Sequence, residues 1–187
     1  MTTIFFVAGE ASGDAHGAAL IAALRILDSD IRIVGRGGAR MRELAGGDFV
    51  DWSAHSAVLG LWEVLKQYGY FRREFAATLA EIAAANPDAV VLIDYPGFNL
   101  RLARALRRRA PQLKIIYYIS PQVWAWNRRR IPQMARHLDL MLCIFPFEAD
   151  LYNQSGLRTI FVGHPMIDSL DGGGSDARDT QLVGIFP

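Results

Sequence analysis

Short apolar runs alternate along the chain with longer segments in which apolar residues recur at helical spacing. The runs predict β-strands near residues 3–8, 31–35, 89–93, 114–119, 139–144 and 158–162. The segments between them predict α-helices near residues 14–27, 38–45, 60–85, 98–109, 127–137 and 147–154. Ala89–Ile93 and Ile115–Ile119 show no polar alternation, as expected of central parallel strands covered on both faces. The pattern therefore predicts an α/β fold built on an open, doubly wound parallel sheet.

The glycine-rich segment Asp171–Asp176 marks a predicted domain boundary. Consecutive glycines with short polar residues are typical of flexible linkers. We expect residues 1–170 to form one domain, residues 171–180 a linker, and residues 181–187 the first strand of a second domain. No helix follows that strand in the sequence, so the expectation is an amino-terminal domain without its successor.

Composition adds few constraints beyond these. Of the 187 residues, 51% are hydrophobic and 21% charged, as in an ordinary globular chain with a core. The first apolar run, Ile4–Ala8, follows no basic region and is too short for a signal peptide or a membrane span, so we expect a cytoplasmic location. The single cysteine, Cys143, rules out a disulfide framework and is expected to be a small buried apolar residue.

Positive charge is concentrated in one part of the chain, although the formal net charge is only +1. No acidic residue lies between Asp94 and Asp139, and the basic residues in that interval are Arg101, Arg104, Arg107, Arg108, Arg109, Lys114, Arg128, Arg129, Arg130 and Arg136. A solvated helix face is one explanation of this charge, and an anionic partner such as phosphate or acidic lipid is the other. Nucleic acid is disfavoured, because its zinc-finger, helix-turn-helix and aromatic-platform signatures are missing.

The segment Gly9–Asp14 follows the first predicted strand and precedes the first predicted helix. A helix N-terminus presents backbone N–H groups without intrahelical partners, so this segment is interpreted as a binding loop. Its glycine spacing matches neither G-x-G-x-x-G nor the phosphate loop that ends in Gly-Lys-Ser/Thr. A dinucleotide or ATP site is therefore disfavoured.

Four loops at predicted strand ends should line one crevice, because ligands of open parallel sheets bind beyond the carboxyl ends of the strands. They begin at Gly9, Asp94, Ser120 and Gly163. Asp94 directly follows five apolar residues, and partial burial there would raise the pKa of its carboxyl toward the range of a general base. The alternative is that Asp94 caps a turn or pairs with an arginine. Asn99 is expected to be a helix N-cap.

Two tryptophans and a histidine are further candidates on these loops. Trp124 and Trp126 can stack on a sugar or lie at a membrane interface, although core packing is the commoner role of a tryptophan. His164 is either a general acid or phosphate donor, or a hydrogen-bonded turn residue. No zinc ligand set can be assembled from the remaining histidines, His16, His55 and His137. Ser12 lacks the G-x-S-x-G elbow of a serine hydrolase.

The segment from Ala57 to Phe71 has a wider apolar face than one buried contact needs. Arg72 and Arg73 follow it, and an apolar face flanked by arginines is typical of a helix that lies on acidic lipid. A helix buried on two sides, a subunit contact and a protein docking surface are the alternatives.

Six segments together resemble the lipid-A-disaccharide synthases, glycosyltransferases of bacterial outer-membrane lipid assembly. They are Val7–Asp14, Ala57–Leu65, Ile93–Asn99, Ser120–Trp126, Phe145–Glu148 and Val162–Pro165, in the family's order. The resemblance implies a GT-B architecture, in which two Rossmann-like domains enclose the active site. It also implies transfer of a UDP-activated diacylglucosamine onto diacylglucosamine 1-phosphate, with release of UDP and without a metal or redox cofactor.

The resemblance assigns expected roles to individual positions. Asp94 matches the family's proposed catalytic carboxylate, which deprotonates the acceptor hydroxyl. The matching substrate-binding positions are Gly9, Glu10, Ser12, Gly13, Asp14, Trp124, Trp126 and His164. The membrane-facing positions are Val58, Leu61, Trp62, Leu65, Tyr68 and Phe71, which implies a cytoplasmic protein held peripherally at the inner membrane.

The same resemblance implies that a second domain, with most of the UDP donor site, follows the strand at residues 181–187. The 187-residue chain by itself is therefore expected to be inactive. Gly97 departs from relatives that carry a second acidic residue there, so a carboxylate pair is not expected. The rival interpretation is a binding module, whose crevice holds a glycolipid or nucleotide without chemistry.

Overall fold

The computed structural model describes residues 1–52 and 61–170, with the side chains of residues 61–68, 126 and 168–170 outside that description. Its strands form one parallel sheet in the order β3-β2-β1-β4-β5-β6-β7. They are β1 (Thr3–Ala8), β2 (Arg32–Gly37), β3 (Phe49–Asp51), β4 (Ala89–Ile93), β5 (Lys114–Tyr118), β6 (Leu140–Cys143) and β7 (Thr159–Phe161). The order of β1 to β6 is that of Rossmann-type sheets, and β7 extends it. The predicted α/β, Rossmann-like parallel sheet is confirmed.

The helices alternate with the strands. They are α1 (Ala11–Leu27), α2 (Ala39–Ala45), α3 (Leu61–Ala85), α4 (Pro96–Arg109), α5 (Val123–Trp126), α6 (Ile131–His137), α7 (Pro146–Gln154) and α8 (Pro165–Leu170), with a 3₁₀ turn at Arg128–Arg130. The six predicted strands and six predicted helical regions all have a counterpart here. The short elements β3, α5 and α8 were not predicted, because three to six residues are too few for a periodic pattern.

Several helix starts differ from the sequence prediction, and two of these differences affect candidate site residues. Helix α1 begins at Ala11 instead of residue 14, so most of the presumed binding loop is the first turn of the helix. Helix α4 begins at Pro96 instead of residue 98, which places Asn99 inside the helix. The expectation that Asn99 is an N-cap was therefore wrong. Proline suits a first helical position because its fixed φ is already helical and its missing N–H has no intrahelical acceptor there.

Alternate side chains of the central strands enter two separate apolar layers. Phe5 and Val7 of β1 pack on one face of the sheet, in a cluster with residues of α3, α4, α6 and α7. Phe6 and Ala8 pack on the other face, with residues of α1 and α2. All four side chains are at most 2% exposed. Burial on both faces explains why these strands are apolar without alternation, since each large side chain removed from water contributes about 1.5–3 kcal/mol.

The topological switch point lies between β1 and β4. The chain leaves β1 toward β2 on one side, and leaves β4 toward β5 on the other. Ala8 pairs in register with Ile93, so the two strands end level with each other. The loops that follow them therefore diverge from neighbouring points, which is where open α/β sheets form a ligand crevice.

A buried carboxylate joins α1 to α2. Asp14 is 7% exposed, and its Oδ1 accepts hydrogen bonds from the amides of Gly38 (2.9 Å) and Met41 (3.0 Å). Its Oδ2 accepts from the amide of Arg40 at 3.1 Å. These amides belong to the N-terminus of α2, where a negative charge is favourable. A Cβ on Gly38 would lie 2.5 Å from Cγ of Asp14, so glycine is required for this close approach.

A buried arginine fixes α3 against β2. Arg36 is 5% exposed and forms ion pairs with Glu74 (2.5 Å) and Glu81 (2.8 Å) of α3. Its guanidinium also lies 5.4 Å from the centre of the Trp52 ring. Such a charge stays buried because it is both paired and hydrogen-bonded.

None of the helices within residues 1–52 and 61–170 is long and apolar enough to cross a bilayer. The predicted linker at residues 171–180 and strand at residues 181–187 lie outside the described residues, so that domain boundary stays a prediction.

Candidate active site at the ends of the parallel strands

The loops after β1 and β4 meet at the switch point. Gly9 is buried, and a Cβ added to it would overlap the ring of Tyr95. The side chain of Trp52 also binds the end of β1, because its Nε1 donates a hydrogen bond to the carbonyl of Ala8 at 2.7 Å. Glycine at position 9 thus permits the loops after β1 and β4 to touch. Side chains that flank this contact are therefore close to each other.

The backbone at this point is strained. Asp94 (φ 44°), Tyr95 (φ 49°) and, at the end of the neighbouring β5, Ile119 (φ 65°) are all in the left-handed region. Each such conformation costs a residue other than glycine roughly 1–3 kcal/mol, and it persists only where surrounding contacts impose it. Strain of this kind at the carboxyl ends of adjacent strands is typical of functional sites.

Two buried side chains impose the conformation of Asp94 through its carbonyl. Asn99, which is fully buried, donates from Nδ2 to the carbonyls of Asp94 (2.8 Å) and Ile93 (3.2 Å). Tyr117 donates its hydroxyl to the same Asp94 carbonyl at 2.6 Å. Burial raises the pKa of the Tyr117 hydroxyl well above its ordinary value, so it stays a hydrogen-bond donor. The loop is therefore held through the main-chain carbonyls of Ile93 and Asp94.

Burial raises the pKa of the half-buried Asp94 carboxyl above its ordinary value, while the amide of Tyr95 and the imidazole of His16 lower it. Burial also raises the pKa of Glu10, with the nearby charge of Asp94 as a second cause. Among residues 1–52 and 61–170, no arginine forms an ion pair with Asp94. The alternative that Asp94 is held by an arginine is thus not what the structure shows.

His16 belongs to the same crevice, which the sequence analysis missed. Burial lowers the pKa of the His16 imidazole, and the nearby His164 lowers it further. The charge of Asp94 raises the pKa of His16 and so works against these two effects. His16 lies on α1, four residues after Ser12 and so on the same face of the helix. The four-residue spacing between Ser12 and His16 could have identified His16 from the sequence, if the helix had been predicted to begin at Ala11. The effect of His164 on the pKa of His16 shows that α1 and the loop after β7 lie within electrostatic range of each other.

Aromatic side chains cluster on the loops that follow β5, β6 and β7. Trp124 donates from Nε1 to Oε1 of the fully buried Glu148 at 2.9 Å, and its ring meets that of Phe147 edge-on at 4.9 Å. The ring of His164 lies 5.7 Å from that of Phe145, and its Nδ1 accepts from the amide of Met166 at 3.2 Å. The turn role considered for His164 is therefore present. The side chain of Trp126 lies outside the described residues.

The structure places the other binding-loop residues in different environments. Glu10 and Ser12 are exposed at the start of α1, next to the crevice. Gly13 is buried, and a Cβ on it would lie 3.4 Å from that of Ala8. Both oxygens of Asp14 are engaged with the amides of α2, so its carboxylate has a structural role.

An apolar cavity of about 580 Å³ adjoins Tyr95, between α3 and α4. Its walls are aromatic, with the rings of Phe75 and Phe98 5.4 Å apart, and Phe71, Arg72 and Arg101 also line it. Phe71 is the described member of the predicted membrane-facing set. Val58 lies outside the described residues, as do the side chains of Leu61, Trp62, Leu65 and Tyr68.

The surroundings of Cys143 disfavour a nucleophilic thiolate. Cys143 is fully buried, and burial together with the charge of Glu148 raises the pKa of its thiol to about 11. Its expected role as a buried apolar residue is confirmed. Across the part of the chain that the structure describes, no group of three His, Cys, Asp or Glu side chains could hold a metal ion.

Comparison with known proteins gives one consistent family. The family model for lipid-A-disaccharide synthetase matches residues 4–186. The lipid-A-disaccharide synthases of Trichlorobacter lovleyi and Geobacter sulfurreducens are 42% and 44% identical to the chain, each covering 98% of it and 50% of the relative. Lipid-A-disaccharide synthase 1 of Legionella pneumophila strain Lens is 41% identical, covering 89% of the chain and 43% of the relative.

A solved structure of Acinetobacter baumannii MurG resembles the chain with a TM-score of 0.48 and 10% identity, covering 97% of this chain and 47% of MurG. The chain spans about half the length of the curated relatives it matches. Since the family model matches almost every residue, the chain belongs to the lipid-A-disaccharide synthetase family.

Proposed function

We propose that this chain is the acceptor-side half of an inverting glycosyltransferase of GT-B architecture. The reaction joins UDP-2,3-diacylglucosamine to 2,3-diacylglucosamine 1-phosphate and yields lipid A disaccharide 1-phosphate and UDP. Family membership supports the reaction, and the match to half of each relative supports a partner domain that completes the donor site. The observation that carries the proposal is the Asp94 carboxyl, which burial makes more basic at the switch point of the sheet.

Asp94 acts as the general base. Its carboxylate takes the proton from the acceptor hydroxyl as that oxygen attacks the anomeric carbon of the donor sugar. A new glycosidic C–O bond forms, the bond from the anomeric carbon to the UDP oxygen breaks, and UDP leaves with the electron pair. Attack from the face opposite UDP inverts the configuration at that carbon. The raised pKa strengthens the base, since a carboxylate at its ordinary pKa binds a proton too weakly at neutral pH.

The other crevice residues bind and orient the sugars. The amides of the first turn of α1, together with Ser12, bind hydroxyl or phosphate oxygens of the substrates, as helix N-termini favour anionic oxygens. His16 and His164 offer imidazole nitrogens beside Asp94. Trp124 is held by Glu148, and its ring is suited to stack on a sugar face.

The aromatic cavity receives an acyl chain of the acceptor. It is apolar, it begins at Tyr95 beside the proposed base, and it is bounded by Phe71 and Arg72 at the exposed side of α3. A lipid could then enter from a bilayer while its sugar reaches Asp94. This arrangement supports a cytoplasmic protein held peripherally at the inner membrane, with acylated sugars as its substrates.

Asp94→Asn tests the proposed base in a protein that carries both halves. The amide keeps the size of the side chain but accepts no proton, so we expect the rate of transfer to fall about 10²–10⁴-fold. Asp30→Asn, in the exposed turn between α1 and β2, is the matched control for charge. Circular dichroism should show both variants folded. Near-normal transfer by Asp94→Asn would refute the base, and substrate binding without transfer in the wild type would favour the binding module.

A further inference from the structure

A second cavity, of about 180 Å³, lies between α4 and α6. Its lining contains Arg101, Arg104 and Arg130, together with Gln133 and His137, and no acidic residue. We refer to it as the cationic groove. Three guanidinium groups line a volume large enough for one phosphate group and are opposite to it in charge, and arginine binds phosphate through paired N–H donors.

The surroundings of the cationic groove are also positive. The pKa of His137 is lowered by burial and then by four arginines, of which Arg104 has the largest effect. One of the four, Arg107, forms an ion pair with Asp139 at 2.5 Å, so it contributes less to the field than its formal charge. The positive charge predicted for this part of the chain is thus reduced at Arg107. The charge around Arg104 remains, and an anion would relieve it.

The cationic groove is separate from the crevice but adjoins the aromatic cavity. Its lining contains none of the crevice residues Glu10, His16, Asp94, Trp124 and His164. It shares Gly97 and Arg101 with the aromatic cavity, so the two flank the exposed ridge of α4.

The groove therefore opens beside the face that carries Phe71 and Arg72. An apolar surface next to an arginine-lined recess fits a bilayer, whose acyl region and headgroup phosphates lie side by side.

We propose that the cationic groove binds the headgroup phosphate of an anionic phospholipid of the bilayer. Bound there, the lipid fixes α4 against the membrane and turns the mouth of the aromatic cavity toward the acyl region. The inference rests on the membrane association in the proposed function and is independent of Asp94 as the base.

Vesicle binding tests this inference. Sedimentation is measured with phosphatidylcholine vesicles and with vesicles that also contain phosphatidylglycerol. Arg104→Gln/Arg130→Gln removes two charges from the groove, and Arg108→Gln/Arg109→Gln removes two from the same region outside its lining. Each arginine near an acidic surface changes affinity about fivefold, so we expect the groove variant to lose roughly thirtyfold for the acidic vesicles. The control variant should lose much less.

Equal losses of vesicle affinity in the two double variants would refute binding at the cationic groove, because a general attraction between the basic surface and the acidic bilayer would then explain the binding. Arg104→Gln alone, at an exposed side chain that folding does not require, should lose about fivefold. Unchanged binding of this variant would also overturn it.

Two further measurements separate the bilayer from the substrate. In neutral detergent micelles, Arg104→Gln/Arg130→Gln should retain the KM for the acylated sugar phosphate. A raised KM there would assign the groove to the substrate's own phosphate and refute bilayer binding. Asp94→Asn should bind acidic vesicles like the wild type, so a failure of the proposed chemistry leaves the groove test intact.

Discussion

Asp14 and Asp94 both follow the carboxyl ends of central strands, yet the structure uses their carboxyl groups in opposite ways. Asp14 accepts three backbone amides and is 7% exposed. Asp94 is braced by Asn99 and Tyr117 through its main-chain carbonyl, while burial raises the pKa of its side chain. Three amides hold the Asp14 carboxylate in place, whereas at Asp94 burial outweighs the effect of the Tyr95 amide and leaves the carboxyl more basic.

The comparison implies that the Asp14 carboxylate contributes mainly to stability, and the Asp94 carboxylate mainly to activity. The packing of α1 against the N-terminus of α2 depends on the Asp14 carboxylate, because this group accepts hydrogen bonds from the amides of Gly38 and Met41. The loop after β4 would keep its conformation without the Asp94 carboxylate, since the groups that hold it bind the carbonyl.

Replacing Asp14 should have the largest effect on stability. Asp14→Ala leaves three amides at the N-terminus of α2 without their acceptor, two of them with Oδ1 as the shared partner. We expect the free energy of unfolding to fall by about 3 kcal/mol, from the lost cap and the buried amides left without a partner. Urea denaturation measures this change.

Asp94→Ala is the matched control for that experiment. It removes the same atoms from a half-buried position, so we expect the free energy of unfolding to change by less than about 1 kcal/mol. Similar losses in the two variants would show that the assigned division between structure and reactivity does not hold.

Asn99→Ala should have an intermediate effect and sharpen the comparison, because it releases the backbone that presents Asp94. It removes the donor to two strand-end carbonyls, which should cost about 2 kcal/mol of stability. The Asp94 carboxyl would lose its fixed position, so we expect kcat in a protein that carries both halves to fall roughly tenfold or more with little change in KM. Denaturation and steady-state kinetics provide the two readouts.

Tyr117→Phe is the control for Asn99→Ala and should have a smaller effect on stability. It removes one hydrogen bond to the same Asp94 carbonyl and keeps the buried ring, so about 1 kcal/mol is expected. A loss of stability in Asn99→Ala without any fall in kcat would limit Asn99 to a structural role.

The sequence predicted the sheet better than the side-chain roles. β1 and β4 were predicted with their observed bounds, because strands buried on both faces must be continuously apolar. Asp94 was found for the same reason, as the first polar residue after such a run. The role of Asp14 was missed, since its partners lie 24 to 27 residues away and only the packing of α2 on α1 brings them together.

Other parts of the site have no local signal. Nothing in the sequence marks Asp94, Tyr95 and Ile119 as left-handed, because that conformation is uncommon outside glycine and depends on contacts with other elements, such as those of Asn99 and Tyr117 with the Asp94 carbonyl. His16 was missed because α1 was started three residues too late, which hid its position on the face of Ser12. The first error concerns contacts between elements, and the second concerns the start of one helix.

The smallest expected effect is a pH dependence of stability specific to Asp94. Its folded pKa is raised by burial, so between the ordinary value of 3.8 and the raised value the folded state binds more protons than the unfolded state. Stability contributed by this group therefore falls as the pH rises through that interval. Asp94→Asn cannot ionise, and we expect it to be more stable than the wild type at neutral pH.

That advantage should shrink as the pH falls through the raised pKa and vanish below 3.8, where both forms of residue 94 are neutral. Removing the charge also relieves Glu10, whose pKa it helps to raise, and this changes stability in the same direction. Urea denaturation across a pH series measures the difference, with Asp30→Asn as the exposed control that should show no such trend. If Asp94→Asn were instead destabilised at neutral pH, the Asp94 carboxylate would resemble that of Asp14, a structural group held by donors, and its assignment as the base would lose its physical basis.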